Sequence, residues 1–270
     1  MTDFETIFLQ KNDFEKWEQS AFAVPNRGYL FGDGLFETMV FDGSKIRFSN
    51  FHQHRIEEGC RVLGFDIGSL SSIANIERHV GGFSSGRPLR IRWNVHRKGL
   101  GKYTPETDSI SETLILQEYR TAVLTKQNAY FSREYFVPNT PWSHCKTLNA
   151  LPYVLANRER QQIGMDEVIL LDSFGFIAEA GAANIFWEKD GKFYTPSLAC
   201  ACIDGVGRNV LLHHFQQTGA SAIEGKFKQD DLMEAQRVFV SNVTGISYIQ
   251  EIEGRPFDST RIESLDILFH

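Results

Sequence analysis

The chain has 270 residues, 42% of them apolar and 23% charged, and a formal net charge of −6, which is enough material for two compact domains with a sizeable core. The acidic balance leaves no electrostatic footprint for a nucleic acid or an anionic membrane, so any anionic ligand needs a local cluster of donors. No apolar run approaches the roughly 18 residues of a bilayer span, and the opening "MTDFETIFLQKNDFEKW" is too acidic and polar for a secretory leader.

In chain order, "LFETMVFDGSKIRF" (35–48) reads as a hairpin, two β-prone runs around the turn pair Asp42-Gly43. "NFHQHRIEEGCRVLGF" (50–65) sets Phe51, Ile56, Val62 and Leu63 near helical spacing, with Gly64 as a stop. His52 and His54 lie two apart on that helix and so face different ways, which argues against a metal site. His213 and His214 are adjacent, and structural or solvent-facing histidines are the expectation. "PLRIRWNVHR" (88–97) alternates apolar and basic residues as a half-exposed strand would, and "TLILQEYR" (113–120) is a further strand.

The second half opens with the strand "NAYFSREYFVP" (128–138). In "KTLNALPYVLANRERQQIG" (146–164) a helix is expected to start near Pro152, because proline is tolerated in a first turn. "EVILLD" and "FIAEA" are strands, "NIFWEKDGKFYTP" is a hairpin turning at Asp190-Gly191, "GRNVLLHHFQQTG" (207–219) is helical and "RVFVSN" (237–242) is a buried strand. There is no internal repeat. A boundary near residue 120 gives a smaller α+β domain over 1–119 and a larger β-rich α/β domain over 120–270. The four cysteines form no C-x-x-C pair, so reduced thiols and a cytoplasmic protein are expected.

Three features carry chemistry. Lys146 follows the polar loop "VPNTPWSHC" and precedes an apolar-faced helix. Most lysines are solvated surface charges, but one in a cleft loses its proton more readily and attacks aldehydes. Glu179 lies in the apolar "FIAEAGAANIF", where a carboxylate must be paired or neutralised. Small residues after it leave room for a flat ring. "DGVGRN" (204–209) opens a helix with glycines, and a helix N-terminus favours phosphate. Arg55 supplies a charge-assisted second grip on such a phosphate.

In order along the chain, these stretches resemble the class IV aminotransferase family, the fold-type IV pyridoxal-phosphate enzymes. "RGYLFGDGLFET" resembles the family's N-terminal signature, and "HQHRIEEGCRVLGF" the helix whose arginine grips the cofactor phosphate, which gives Arg55. "KTLNALPYVLANRE" resembles the Schiff-base lysine segment, giving Lys146. "DEVILLDSFGFIAEAGAANIFW" resembles the block whose glutamate pairs with the pyridine nitrogen, giving Glu179, with Asn184 beside it as a cofactor residue. "IDGVGRNVLL" resembles the phosphate-binding turn, giving the amides of Val206 and Gly207, and "FVSNVTGISYI" the last phosphate-side loop, around Asn242 and Val243.

The resemblance implies a two-domain α/β (α+β) fold of the D-amino acid aminotransferase-like kind, pyridoxal 5'-phosphate at the domain interface, a small amino substrate and a homodimer. It embraces branched-chain aminotransferases, D-amino acid aminotransferases and aminodeoxychorismate lyases. Thr38, the block "AANIFW" and the turn "DGVGR" are closer in wording to the lyases. That reading implies catalysis by Lys146 with Thr38 as helper in protonating the leaving group, and release of 4-aminobenzoate and pyruvate. The arginine that many lyases carry two residues after the threonine is Val40 here, and their "GGRGY" loop is "GLGKY" (99–103). The partner of a substrate carboxylate is therefore sought among Arg92, Arg97 and Lys102. The alternative is an aminotransferase with a 2-keto acid acceptor.

Overall fold

A computed structural model describes residues 5–12, 14, 16–19 and 26–269. The first four residues of the opening stretch, with 13 and 15, lie outside them, so the reading of that stretch as no leader rests partly on residues not described. The chain divides into two compact units, Met1–Arg120 with Cys145–Asn149, and Thr121–His144 with Ala150–His270. Residues 145–149 fall on the far side of a single cut at residue 120, yet they join the first unit through backbone pairing.

The first unit contains β1 (Ile7–Lys11), β2 (Trp17–Gln19), α1 (Arg27–Phe31), β3 (Gly34–Phe41), α2 (Ser49–Val62), α3 (Ile73–Ser84), β4 (Leu89–Arg97) and β5 (Ile110–Glu118). Its antiparallel sheet has the order β2-β1-β5-β4-β3. Alternation along the strands sends Leu35, Met39 and Phe41 of β3 and Ile91, Trp93 and Val95 of β4 into the core beneath α2 and α3. The opposite face carries Phe36 and Thr38 from β3, beside Arg90, Arg92 and Asn94 from β4.

The expected 35–48 hairpin forms only in part. The chain does turn at Asp42, whose Oδ1 accepts from the amides of Ser44 and Lys45. The return arm, however, is reduced to one bridge between Phe41 and Ile46. The Ile46 amide goes instead to the Glu77 carboxylate at 2.6 Å, and Phe48 adopts a left-handed φ of 56° to start α2. β3 pairs along its whole length with β4. Helix α3 has no counterpart among the predicted elements, although Ser72 caps it onto the Asn75 amide and Ile73, Ile76 and Val80 form its buried stripe.

The second unit contains β6 (Thr125–Lys126), β7 (Ala129–Val137), α4 (Leu151–Gln162), β8 (Glu167–Asp172), β9 (Ile177–Ala180), β10 (Asn184–Lys189), β11 (Lys192–Pro196), α5 (Val206–Thr218), β12 (Ala222–Gly225), α6 (Gln229–Met233), β13 (Arg237–Asn242), β14 (Gly245–Ile249), β15 (Glu251–Ile252), β16 (Arg255–Pro256) and α7 (Glu263–Asp266). Two mixed sheets result, β12-β11-β10-β13-β14-β6 and β16-β15-β7-β8-β9. The β10–β11 turn has φ 51° at Asp190 and 71° at Gly191, the two positive values that a tight hairpin matching strand twist requires. Pro152 sits in the first turn of α4. Much of the phenylalanine content fills this core: Phe186 stacks on Phe239 at 5.5 Å, and Trp187 meets Phe227 edge-on at 4.9 Å. Such pairs add about 0.5–1.5 kcal/mol each beyond the area they bury. Among the described residues no helix is long and apolar enough to cross a membrane.

Candidate active site

In the first unit, Lys146 owes its place to backbone pairing. The Phe36 amide donates to the Lys146 carbonyl, and the Leu148 amide to the Gly34 carbonyl, both at 2.9 Å. The 145–149 strap thus extends along the free edge of β3. The Lys146 Nζ lies 4.5 Å from the Phe36 ring centroid, and the Arg92 Cζ lies 3.8 Å from the same ring. Thr38 stands two residues along β3 on that face, directly across from Arg92 in the strand register. Lys146, Arg92 and Thr38 therefore share one face around Phe36.

Arg92 is half-buried and hydrogen-bonds Asn94 through Nε at 2.8 Å. Burial, and then the neighbouring Arg90, bring its pKa down to about 10. Among the described residues neither arginine has a carboxylate partner. Arg97, the second of the three candidates for a substrate carboxylate, differs in its surroundings. It lies on the core side of β4, donating to Asp33 at 3.2 Å, to Asp108, and to the carbonyls of Leu63 at 2.8 Å and Gly64 at 3.3 Å. These bonds tie its fork into the unit's own framework. Lys102 is exposed on the loop after β4. That loop is held by Arg27, which donates to Asp33 at 2.7 Å and to the carbonyls of Leu100 and Lys102 at 2.6 and 2.8 Å.

Arg55 is buried on α2 and engages Glu37 side-on, through Nε at 2.7 Å and Nη2 at 2.5 Å. His52 Nδ1 lies 2.6 Å from the same carboxylate. Burial alone would raise the Glu37 pKa, but the guanidinium and the imidazole outweigh it and hold the group at about 2. Burial lowers the His52 pKa against the pull of Glu37, and opposite an ionised carboxylate, which can only accept, Nδ1 is the donor. His52 is committed to a carboxylate, and among the described residues no group of three or more histidine, cysteine or acidic side chains could hold a metal.

In the second unit, Glu179 on β9 is 3% exposed. Its Oε1 accepts from the Tyr153 hydroxyl at 2.5 Å and from the Ile203 amide at 3.1 Å, while Asn184 Nδ2 approaches Oε2 at 3.5 Å. Burial and the adjacent Glu179 push the Tyr153 hydroxyl well above its usual range, so it stays a donor. Asn184 also donates to the Ile203 carbonyl at 2.9 Å. Tyr153 escaped the sequence reading. It stands in the first turn of α4, and only the pairing of β8 with β9 brings Glu179 to it.

Helix α5 begins at Gly205, which offers no capping side chain to the first-turn amides. A Cβ at Gly205 would fall 1.7 Å from Asn184 Oδ1, and one at Gly207 2.9 Å from the Asn242 carbonyl. The start of α5 is thereby wedged against both asparagines, with Val206 and Val243 buried beside it. Asn242 Oδ1 accepts from the Thr244 amide at 2.8 Å and hydroxyl at 2.6 Å, which closes the loop. Asn184, Val206, Gly207, Asn242 and Val243 are thus brought together, and Asn184 links them to Glu179. Because the neighbour of Gly207 is backbone, Gly207→Ala is expected to destabilise the protein by about 1–3 kcal/mol, read as a lower urea midpoint; an unchanged midpoint would mean the turn yields freely.

The family model "Amino-transferase class IV" matches residues 34–252. The chain is 25% identical over 238 residues to an aminodeoxychorismate lyase of Bacillus subtilis, covering 83% of this chain and 79% of that protein. It is 23% identical over 261 residues to a D-alanine aminotransferase of Bacillus licheniformis, covering 89% and 86%. A branched-chain aminotransferase from Thermoproteus uzoniensis superposes with a TM-score of 0.85 at 18% identity, covering 98% and 94%, a likeness of fold. The match to the family model runs from the strand that carries Phe36 and Thr38 to the strands beyond Asn242, and the chain belongs to the class IV aminotransferase family of mixed α/β, fold-type IV enzymes.

Proposed function

We propose that this chain is a pyridoxal 5'-phosphate-dependent lyase acting on 4-amino-4-deoxychorismate, a step of folate biosynthesis that releases 4-aminobenzoate and pyruvate. The residues fit the cofactor. A glycine-started helix leaves amides for a phosphate where a Cβ would collide, and a buried carboxylate, Glu179, is held by neutral donors. Arg55 and the amides of Val206, Gly207 and Val243 would hold the phosphate, with Asn184 and Asn242 shaping the cradle. Lys146 would carry the aldehyde. Glu179 would accept a hydrogen bond from the protonated pyridine nitrogen.

When bound, the cofactor supplies an electron sink at the carbon bearing the substrate amine. Lys146 would remove the proton from that carbon as general base. Thr38 delivers a proton toward the departing enolpyruvyl group. Arg92 orients a substrate carboxylate by charge-assisted hydrogen bonds.

One observation carries a carboxylate-bearing substrate: Arg92 is half-buried, without a carboxylate partner among the described residues, on the face shared by Lys146 and Thr38. A substrate carboxylate answers that cation, which would otherwise stay desolvated and unpaired. The likeness to the B. subtilis lyase supports the choice of the lyase. The second reading, an aminotransferase for branched-chain or D-amino acids with a 2-keto acid acceptor, draws on the likeness to the D-alanine enzyme, which runs over 261 residues. A cytoplasmic homodimer completes the proposal.

The test is to give cofactor-loaded protein enzymatically generated aminodeoxychorismate without any keto acid, and to follow 4-aminobenzoate. Multiple turnovers are expected. Absence of product, from protein that exchanges amino groups between an amino acid and a keto acid, would establish the aminotransferase instead.

A further inference from the structure

We propose that Asn94 is a positioning residue for the substrate carboxylate: it fixes the Arg92 guanidinium through Nε with a neutral acceptor, so that the fork is oriented while its charge stays available. Thr113 holds the Asn94 amide in the orientation this requires. The proposal rests on the reading of Arg92 as the carboxylate clamp, and every residue in it belongs to the first unit.

Arg92 is gripped in two ways. Its Nε donates to Asn94 Oδ1 at 2.8 Å, and its Cζ lies 3.8 Å from the Phe36 ring centroid. Hydrogen bond and ring together restrict the plane of the fork. An arginine can only donate, so the Asn94 oxygen must face it and Nδ2 must point the other way. There Nδ2 donates to Thr113 Oγ1 at 3.0 Å, and Thr113 is the residue that pairs with Asn94 across β4 and β5. Strand register thus sets the direction of the amide, and the amide sets the direction of the cation.

The neutral acceptor separates this cation from the structural ones. In the same unit the buried Arg27 meets Asp33 at 2.7 Å, Arg55 meets Glu37 at 2.7 Å and Arg97 meets Asp33 at 3.2 Å. Those three are each answered by a carboxylate. On the outer face of the sheet, Arg92 is met by Asn94 and Arg90 by Gln117, the latter at 2.7 Å. A carboxylate at position 94 would keep the same Nε bond and make it charge-assisted on both sides. It would also neutralise the charge that an incoming carboxylate needs. An amide holds the fork without that competition, and a fork already held loses little freedom when an anion binds.

The experiment measures binding of 4-aminobenzoate, and of its uncharged analogue 4-aminobenzamide, to cofactor-loaded protein by titration calorimetry, with the melting temperature of each variant. The parent is expected to prefer the acid, and Arg92→Gln to erase that preference. If the parent shows no preference, or Arg92→Gln keeps it, the reading of Arg92 falls and this proposal with it. Asn94→Asp is expected to weaken the acid by on the order of tenfold, to leave the amide unchanged and to melt no lower than the parent. A purely structural Asn94 predicts full acid affinity in that variant, since aspartate keeps the Nε bond and Thr113 can turn its hydroxyl to donate. That result, beside a loss in Arg92→Gln, would overturn the positioning role and leave the clamp standing. Thr113→Val is expected to weaken the acid alone, by about threefold, with Thr113→Ser at the parent's affinity. Should Asn94→Asp unfold or melt well below the parent, the Thr113 pair decides. Equal acid affinity in the two Thr113 variants, or a loss shared by the amide, would count against the proposal.

Discussion

Lys146→Ala is expected to abolish turnover, lowering it by at least about 10³-fold, and to remove covalent trapping of the cofactor by borohydride, in a protein that still folds. The folding half of this expectation follows from the strap. Its hydrogen bonds to β3 run through the backbone, from the Phe36 amide to the Lys146 carbonyl and from the Leu148 amide to the Gly34 carbonyl, and alanine preserves both. The lysine side chain is only partly buried, so its truncation should alter stability by no more than about 0.5 kcal/mol. The chemical half follows from the Nζ beside Phe36, on the face shared with Thr38 and Arg92. Thermal unfolding, turnover and mass spectrometry after reduction would check both halves. Cofactor still trapped on the variant at full stoichiometry would place the reactive amine elsewhere.

Glu179→Gln is the second large effect, an expected loss of turnover of about 10²-fold or more with the fold intact. Glutamine keeps an oxygen able to accept from the Tyr153 hydroxyl and the Ile203 amide, which reach Glu179 at 2.5 and 3.1 Å. The two bonds to Oε1 therefore survive, while the negative charge and the acceptor facing Asn184 Nδ2 are lost. A pyridine nitrogen facing a neutral amide is no longer held protonated, and the electron sink weakens. Tyr153→Phe serves as the comparison: it removes one donor but keeps the charge, so a smaller loss is expected. Near-normal turnover in Glu179→Gln would sink the assignment of that carboxylate.

The local elements were legible wherever periodicity and punctuation agreed. The strand over 88–97, the helix beginning near Pro152 and the Asp190-Gly191 hairpin each follow from residues within a few positions of one another. Where a local signal met a distant competitor, it failed. The return arm after Asp42-Gly43 gave way because Glu77, on a helix far along the chain, captures the Ile46 amide. Helix α3 carries its own local signals, the Ser72 cap and an apolar stripe, in a stretch without a functional motif.

By itself the sequence determined the reactive residue types and their order: a lysine, a glutamate and a glycine-started helix in stretches of recognisable wording. Only the tertiary structure decided which neighbours those residues keep. It committed Arg97 to Asp33 and Asp108, turned Arg92 toward Phe36, joined Tyr153 to Glu179 across 26 residues, and joined Arg55 to Glu37 across 18. The physical reason is one of range. Periodicity and capping act over a turn or two of chain, whereas hydrogen-bond partners of buried charges are chosen by strand register, which brings together residues that no local pattern relates.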